Sequence, residues 1–314
     1  MPSHNAPKTA WIITTGAAGH ELPCVGICAA LGINDPKIFR VKPKGLHKLL
    51  APWGPAKLEY DMQAPYPDLI LCSARQSVAY GRKLRHDIKT KQTKIVFIQN
   101  PVAAKKSFDL ICAPAHDNLR GHNVFTTLTA PHHLTRKVLE QEANKFKNDY
   151  YRSDYKNIAV LLGGPNKKMK YAQQDIMRYV SFLKNACQNE KVNFIFCPSR
   201  RTPNEIKQLF FNIFSPLGHK IWMGDTPNPY KGLLGLADNI IVTSDSINML
   251  GEAVFTGKPV GIFQFSDTAG KYAYYSEMLI KKHNVEIFEG QIPTTKTISV
   301  NATDDIAKAI LSLY

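Results

Sequence analysis

The sequence predicts an α/β protein built from two doubly wound, Rossmann-like domains facing across a cleft. Three observations carry that expectation. Short β-branched runs alternate with longer helical patterns from end to end, as in parallel sheets covered by helices on both faces. The length of 314 residues is about twice the roughly 150 residues of a typical domain. Finally, the rhythm restarts after a polar stretch, 147–157, that has no apolar periodicity of its own.

In the first series, strands are expected at 11–15, 38–41, 69–72, 95–98, 110–113 and 124–126, with helices at 22–31, 78–85 and 134–146. The second series places strands at 158–162, 194–197, 240–243 and 260–263. Its helices fall at 171–186, 204–214, 247–255, 272–281 and 304–313. The domains implied are 1–150 and 151–314, with the last helix free to pack back on the first. Sheets of this kind bind ligands where loops leave the carboxyl ends of the strands, so chemistry is sought there.

Composition removes several classes. Apolar residues make up 44% and charged residues 21%, an ordinary globular balance rather than a disordered one. No apolar run approaches the roughly 18 residues of a membrane span, and the polar start is unlike a signal peptide. Six cysteines lie mostly in apolar segments. Cys24 and Cys28 stand one helical turn apart, but no His-x-x-x-His completes a metal set, so buried thiols in a reducing, cytoplasmic setting are expected. The net charge is +15. Divided at Tyr150 it is +10 (21 basic, 11 acidic) and +5 (19 basic, 14 acidic), which points to an acidic partner: nucleic acid, anionic lipid or a phosphorylated small molecule.

The strand at 158–162 runs into Gly163-Gly164-Pro165-Asn166 and then Lys167, Lys168 and Lys170. Paired glycines let backbone N–H groups approach an anion, although the spacing is not that of a P-loop. The next loop, Ser199-Arg200-Arg201-Thr202-Pro203, sets two arginines before a helix, with Thr202 as the expected N-cap and Pro203 at the first helical position. The richest segment is Thr243-Ser244-Asp245-Ser246-Ile247-Asn248, leading to Glu252. Asp245 or Ser246 is expected to cap the helix, whose N-terminus suits an anion. Asn248 and Glu252 share one face, where a carboxylate one turn in can accept ribose hydroxyls.

In the first half, Gly16-Ala17-Ala18-Gly19-His20-Glu21 forms a glycine loop before a helix, one residue away from a dinucleotide fingerprint. His20 is a candidate general base, with Glu21 placed to orient it. His116-Asp117 offers a second His–Asp pair, either of which could contact substrate, and Arg75 is a candidate for an acceptor phosphate. Lys42, Lys44, Lys48 and Lys57 interleave with Leu46, Leu49, Leu50, Trp53 and Leu58, a mixture suited to an anionic membrane surface or to an ordinary solvated loop. Aromatic residues are not interleaved with basic ones as in RNA-binding signatures, so nucleic acid is disfavoured.

Together these residues resemble the plant "elongated mitochondria" fission-factor family and its bacterial relatives, which look like GT-B glycosyltransferases. The resemblance rests on Gly16, Gly19 and His20, the run from Phe108 to Asp117, Asn123-Val124 and Gly163-Gly164. It continues through Ser199 to Pro203, Asn228-Pro229-Tyr230 and the run from Thr243 to Ala253. Two positions depart from the family's pattern: the glutamine expected after His20 is replaced by Pro23, and a Gly-Arg pair reads Ala74-Arg75.

The resemblance implies a nucleotide-sugar in the second domain, held by Gly163, Gly164, Ser199, Arg200, Arg201, Asn228, Tyr230, Ser244, Asp245, Ser246, Asn248 and Glu252. The acceptor would lie on the first domain at Gly16, Gly19, Arg75 and His116, with His20 or Asp117 as the base of an inverting displacement. No Asp-x-Asp occurs, so a metal-independent reaction without a cofactor is expected, the helix dipole and basic side chains stabilising the departing diphosphate. The function implied is sugar transfer to a lipid-linked envelope acceptor at the cytoplasmic face of the inner membrane. The alternative is a non-catalytic, membrane-associated adaptor that keeps the fold, as the plant members' role implies. A nucleotide-sugar epimerase is disfavoured by the incomplete fingerprint.

Overall fold

The computed structural model describes residues 6–42, 50–90, 92–166 and 169–314. It divides into two compact units, Met1–His133 with Asn301–Tyr314, and Leu134–Val300. The boundary therefore falls at His133 and not at Tyr150. The helix Arg136–Tyr150 belongs to the second unit, and the last helix to the first. This removes the charge asymmetry: the units carry +8 (18 basic, 10 acidic) and +7 (22 basic, 15 acidic).

The first unit is a six-stranded parallel sheet in the order β2-β1-β3-β4-β5-β6. Its strands are β1 (Ala10–Thr14), β2 (Lys37–Arg40), β3 (Leu69–Ser73), β4 (Lys94–Ile98), β5 (Leu110–Pro114) and β6 (Val124–Thr127). β1 and β3 are buried on both faces, so they read as unbroken apolar runs rather than alternating ones. One face packs Ile12, Leu71 and Val96 against Cys24 and Ile27 of α1 (Ala18–Ala30). On the other, Ile13, Ile70 and Phe97 meet Val78 and Leu84 of α2 (Val78–Asp87).

The second unit has six parallel strands in the order β12-β11-β10-β7-β8-β9. They are β7 (Lys156–Leu162), β8 (Val192–Pro198), β9 (Lys220–Ile221), β10 (Asn239–Thr243), β11 (Val260–Phe263) and β12 (Glu286–Ile287). Its helices are α3 (Arg136–Tyr150), α4 (Gln173–Asn189), α5 (Asn204–Phe214), α6 (Tyr230–Leu236), α7 (Ile247–Phe255) and α8 (Lys271–His283); α9 (Ala302–Leu311) closes the first unit. α3 and α6 approach so closely that a Cβ at Gly235 would stand 2.5 Å from the Leu139 carbonyl oxygen. The core is rich in aromatics, with Tyr179 stacked on Phe263 at 4.2 Å between centroids.

β9, β12 and α6 have no counterpart among the expected elements. β9 and β12 have two residues each, too short to show a period, and α6 is only seven residues long with two glycines. In both sheets the strand order reverses beside the first strand, between β1 and β3 and between β7 and β10. Each unit thus has a topological switch point, the place where open α/β sheets bind ligands.

Candidate functional site

At the switch point of the second unit, Gly163 and Gly164 leave β7 beside the residues that leave β10. The Gly163 N–H donates to Thr243 Oγ1 at 2.9 Å and the Gly164 N–H to Asp245 Oδ2 at 2.8 Å. Both amides are therefore committed within the protein and do not point to an incoming anion, contrary to the sequence expectation. The glycines have a different cause. A Cβ at Gly163 would lie 2.1 Å from the Asp245 carboxylate, and one at Gly164 would lie 2.3 Å from the Arg201 backbone.

Asp245 is the hub of this cluster. Besides Gly164 it accepts from the Tyr171 hydroxyl at 2.9 Å, and Arg201 approaches at 3.3 Å. Burial pushes its carboxyl above the usual range, while the Gly164 N–H, Thr243, Tyr171 and Arg201 pull the other way. Ser199 donates to the Gly163 carbonyl at 2.8 Å. Thr202 does not cap α5; its hydroxyl turns back onto the Gly163 carbonyl, and Pro203 takes the cap position.

Nor does Asp245 or Ser246 cap α7. Ser246 stands at the cap position, but its side chain makes no capping bond, and Asp245 is turned toward Gly164. The first turn of α7 is thus left without a side-chain cap. Amides in that state, at the positive end of a helix dipole, suit an anion. Asn248 is exposed on this turn, and Arg200 is exposed on the neighbouring loop. Ser244 pairs with Thr268 at 2.9 Å, which brings the loop after β11 into the site.

One turn further along α7, Glu252 is half-buried and accepts from the Tyr230 hydroxyl at 2.5 Å. Burial raises its carboxyl above the normal range, with Tyr230 and Lys231 opposing. Asn228 holds the start of α6 by accepting from the Tyr230 N–H at 2.9 Å. Tyr230 and Asn228 therefore position the carboxylate expected to meet a ribose. The sequence gives no reason to single out Tyr171 or Thr268. The spacing of Gly-Gly and Thr-x-Asp after two strands was the available signal, but adjacency of β7 and β10 requires the topology.

In the first unit, Gly16 adopts φ +81° and Gly19 and His20 form the first turn of α1. Glu21 does not orient His20. Both its oxygens are taken by Arg40, each at 2.8 Å, and this pairing accounts for a basic residue at the end of β2. Arg75 donates from Nε to the Ala51 carbonyl at 2.8 Å and lies over the Trp53 ring at 5.5 Å. The guanidinium is thus anchored at the end of β3. His116 and Asp117 fall in a short 3-10 turn after β5, where Asp117 is exposed. Of the basic–apolar segment, Lys44, Leu46, Lys48 and Leu49 lie outside the described residues, as do Lys167 and Lys168. Trp53 is 61% exposed.

Two Rossmann-like units, each with its own switch point, define the chain as GT-B-like in fold. Solved structures agree on the fold. The UDP-GlcNAc 2-epimerase of Methanocaldococcus jannaschii matches with a TM-score of 0.55 at 12% identity, covering 97% of this chain and 99% of that one. The UDP-GlcNAc 2-epimerase of Neisseria meningitidis, bound to UDP-GlcNAc, matches with a TM-score of 0.53 at 10% identity, covering 98% and 91%.

The family is more specific: residues 18–314 match the mitochondrial fission ELM1 model, and the chain belongs to that family. It is 22% identical to the mitochondrial fission protein ELM1 of Arabidopsis thaliana, covering 98% of this chain and 90% of the relative. It is also 25% identical to an uncharacterised protein of Rickettsia prowazekii, covering 77% of each. No described helix is long and apolar enough to cross a membrane.

Proposed function

We propose that the chain is a nucleotide-sugar-dependent glycosyltransferase acting on a lipid-linked acceptor. The observation that carries this reading is the uncapped first turn of α7 at the β7/β10 switch point, with Glu252 one turn further along the same helix. The diphosphate would meet the α7 amides, with Arg200 and Arg201 beside it, and the ribose would meet Glu252. Binding of UDP-GlcNAc by the Neisseria neighbour is in keeping with this choice of ligand.

The acceptor would occupy the first unit, where His20 or Asp117 removes the proton from the attacking hydroxyl. In an inverting displacement the new bond forms as the sugar–diphosphate bond breaks, and both electrons of that bond leave with the diphosphate. Stabilisation of this departing charge is the role of the α7 dipole and the arginines. The acceptor and an anionic membrane surface belong to the same reading, and Trp53 is an exposed aromatic available to such a surface.

A thermal-shift panel of nucleoside diphosphates and nucleotide-sugars tests the donor site. The expected result is stabilisation by at least one nucleoside diphosphate that disappears in Glu252→Ala. No shift at millimolar concentration would remove the transferase reading. That outcome would favour the second reading, a non-catalytic adaptor, which the name of the Arabidopsis relative supports.

A further inference from the structure

The second unit carries a cavity at the edge of its sheet, apart from the β7/β10 switch point. It encloses about 760 Å³ and lies between the last turns of α3, the edge strand β9 and the loop that follows β9. In the strand order β7-β8-β9, a whole strand separates β9 from the strand that carries the Gly163 loop. No residue of the Asp245 or Glu252 clusters lines it.

Three aromatic side chains, Phe146, Tyr150 and Trp222, line this cavity, and each is held in place by the chain itself. Phe146 packs against α6 so closely that a Cβ at Gly232 would stand 2.6 Å from its ring. The Tyr150 ring lies 6.2 Å from that of Phe146, and its hydroxyl bonds to Thr226. Trp222 donates from Nε1 to the Thr226 carbonyl at 3.1 Å. The volume falls in the range of sites for small organic molecules, and rings already fixed lose little freedom when one binds.

Charge decides the kind of molecule. Two carboxylates, Asp149 and Asp225, line the cavity, and neither forms an ion pair among the described residues. Both act on the Tyr150 hydroxyl: burial raises its pKa first, the Thr226 hydrogen bond opposes this, and Cys197, Asp149 and Asp225 add to the rise. Of the two lysines in the lining, Lys145 is paired with Glu142 at 2.6 Å, which leaves Lys220 against two acids. The lining is thus negative in a unit whose overall charge is +7. A cation is attracted both by carboxylates and by the negative faces of aromatic rings. A bare metal ion needs a close cage of oxygen ligands, which two exposed aspartates do not make. We propose that this cavity binds a small organic cation of the alkylated-ammonium class, its head held among Phe146, Tyr150 and Trp222 and its charge balanced by Asp149 and Asp225.

The test is calorimetric titration of choline into the full chain at low salt, beside its neutral carbon isostere, dimethylbutanol. Choline is expected to bind. The isostere, which has the same shape without the charge, should bind at least tenfold more weakly. Asp149→Asn combined with Asp225→Asn should weaken choline binding at least tenfold while leaving the melting temperature unchanged, because both side chains are exposed and make no ion pair among the described residues. Trp222→Ala should weaken it by a similar factor, and Trp222→Phe, which keeps an aromatic face, by less. That order separates loss of a ring from loss of the fold. Absence of choline binding to the wild-type chain would overturn the proposal, as would equal affinity for the isostere or wild-type affinity in the double asparagine variant. A cavity that takes the neutral nucleoside uridine in preference to choline would belong to the nucleotide site, and the proposal would fall.

Discussion

The two sheets end very differently at their carboxyl edges. In the second unit the edge is satisfied from within: Gly163, Gly164, Thr243, Asp245, Tyr171, Ser199 and Thr202 bond to one another. Positive φ angles in that unit fall on Gly218, Gly224, Gly257, Gly270 and Gly290, and on Asn284, all residue types that tolerate them. In the first unit, Ala74, Gln99, Val102 and Ala104, types that rarely adopt it, all have positive φ, and each follows β3 or β4. Thr14 Oγ1 is buried there without a partner among the described residues. Backbone strain and unsatisfied polar groups persist where something else over-determines them, and they concentrate at functional sites. The carboxyl edge of the second unit is held by its own hydrogen bonds, whereas that of the first carries backbone strain.

The largest expected effect tests the preformed edge. Gly163→Ala drives a methyl group into the Asp245 carboxylate and should cost about 3 kcal/mol or more of stability, read by urea denaturation. Gly163→Ala combined with Asp245→Ala should cost less than the two separate losses added together, since the clash partner is gone. Strict additivity would show that the Gly-Gly pair serves something other than the approach of Asp245.

Acid should act on the second unit next. His219 is buried and its pKa is lowered from 6.5 to about 4, by burial first and by Arg152 second. Because the folded value lies below the unfolded one, the unfolded chain takes up the proton first. The stability this group contributes is complete above pH 6.5 and is lost as the pH falls toward 4, by up to about 3 kcal/mol. His219→Gln should flatten that part of the stability profile. An unchanged profile would place the acid sensitivity elsewhere.

Glu252 has the opposite sign. Its folded pKa is raised by burial, so the folded chain holds the proton more tightly, and stability falls as the pH rises above the ordinary carboxylate value of 4.5. Glu252→Gln should therefore raise the melting temperature at neutral pH while abolishing stabilisation by a nucleoside diphosphate. Loss of both would indicate a structural role alone.

The smallest effect concerns the strained edge. Ala74, at φ 82° and ψ 149°, occupies backbone space that glycine adopts readily. Ala74→Gly should gain about 1 kcal/mol by relieving the strain. A loss instead would mean that the Ala74 methyl group packs more favourably than its backbone is strained, and the contrast between the two edges would weaken.

Much of this was legible without coordinates. The runs that form β1, β3, β8, β10 and β11 are fully buried strands, and fully buried strands show as unbroken apolar stretches. Six cysteines in apolar segments proved to be free thiols, five of them buried. The runs at Gly163, Ser199 and Thr243 do converge on one edge. The reasons residue types occupy those places were not legible. Paired glycines read equally well as an anion cradle and as clearance for a side chain, and only the neighbour of β7 decides between them. Thr202 and Asp245 read as caps because a cap is a local device, yet both turn to partners on other strands. The switch of α3 to the second unit follows from glycines at 232 and 235, nearly a hundred residues away.

The sequence by itself determined what depends on periodicity and local chemistry: the strands and helices, their grouping into two α/β units, and the loops that carry polar residues. Tertiary structure decided what depends on strand order. It set which loops stand side by side, which carboxylates are neutralised by which arginines, and which hydroxyls are left unpaired. The physical reason is one of range. A period of two or 3.6 residues is written along the chain, whereas the hydrogen bond from Gly164 to Asp245 spans 81 residues and exists only because β7 and β10 are neighbours.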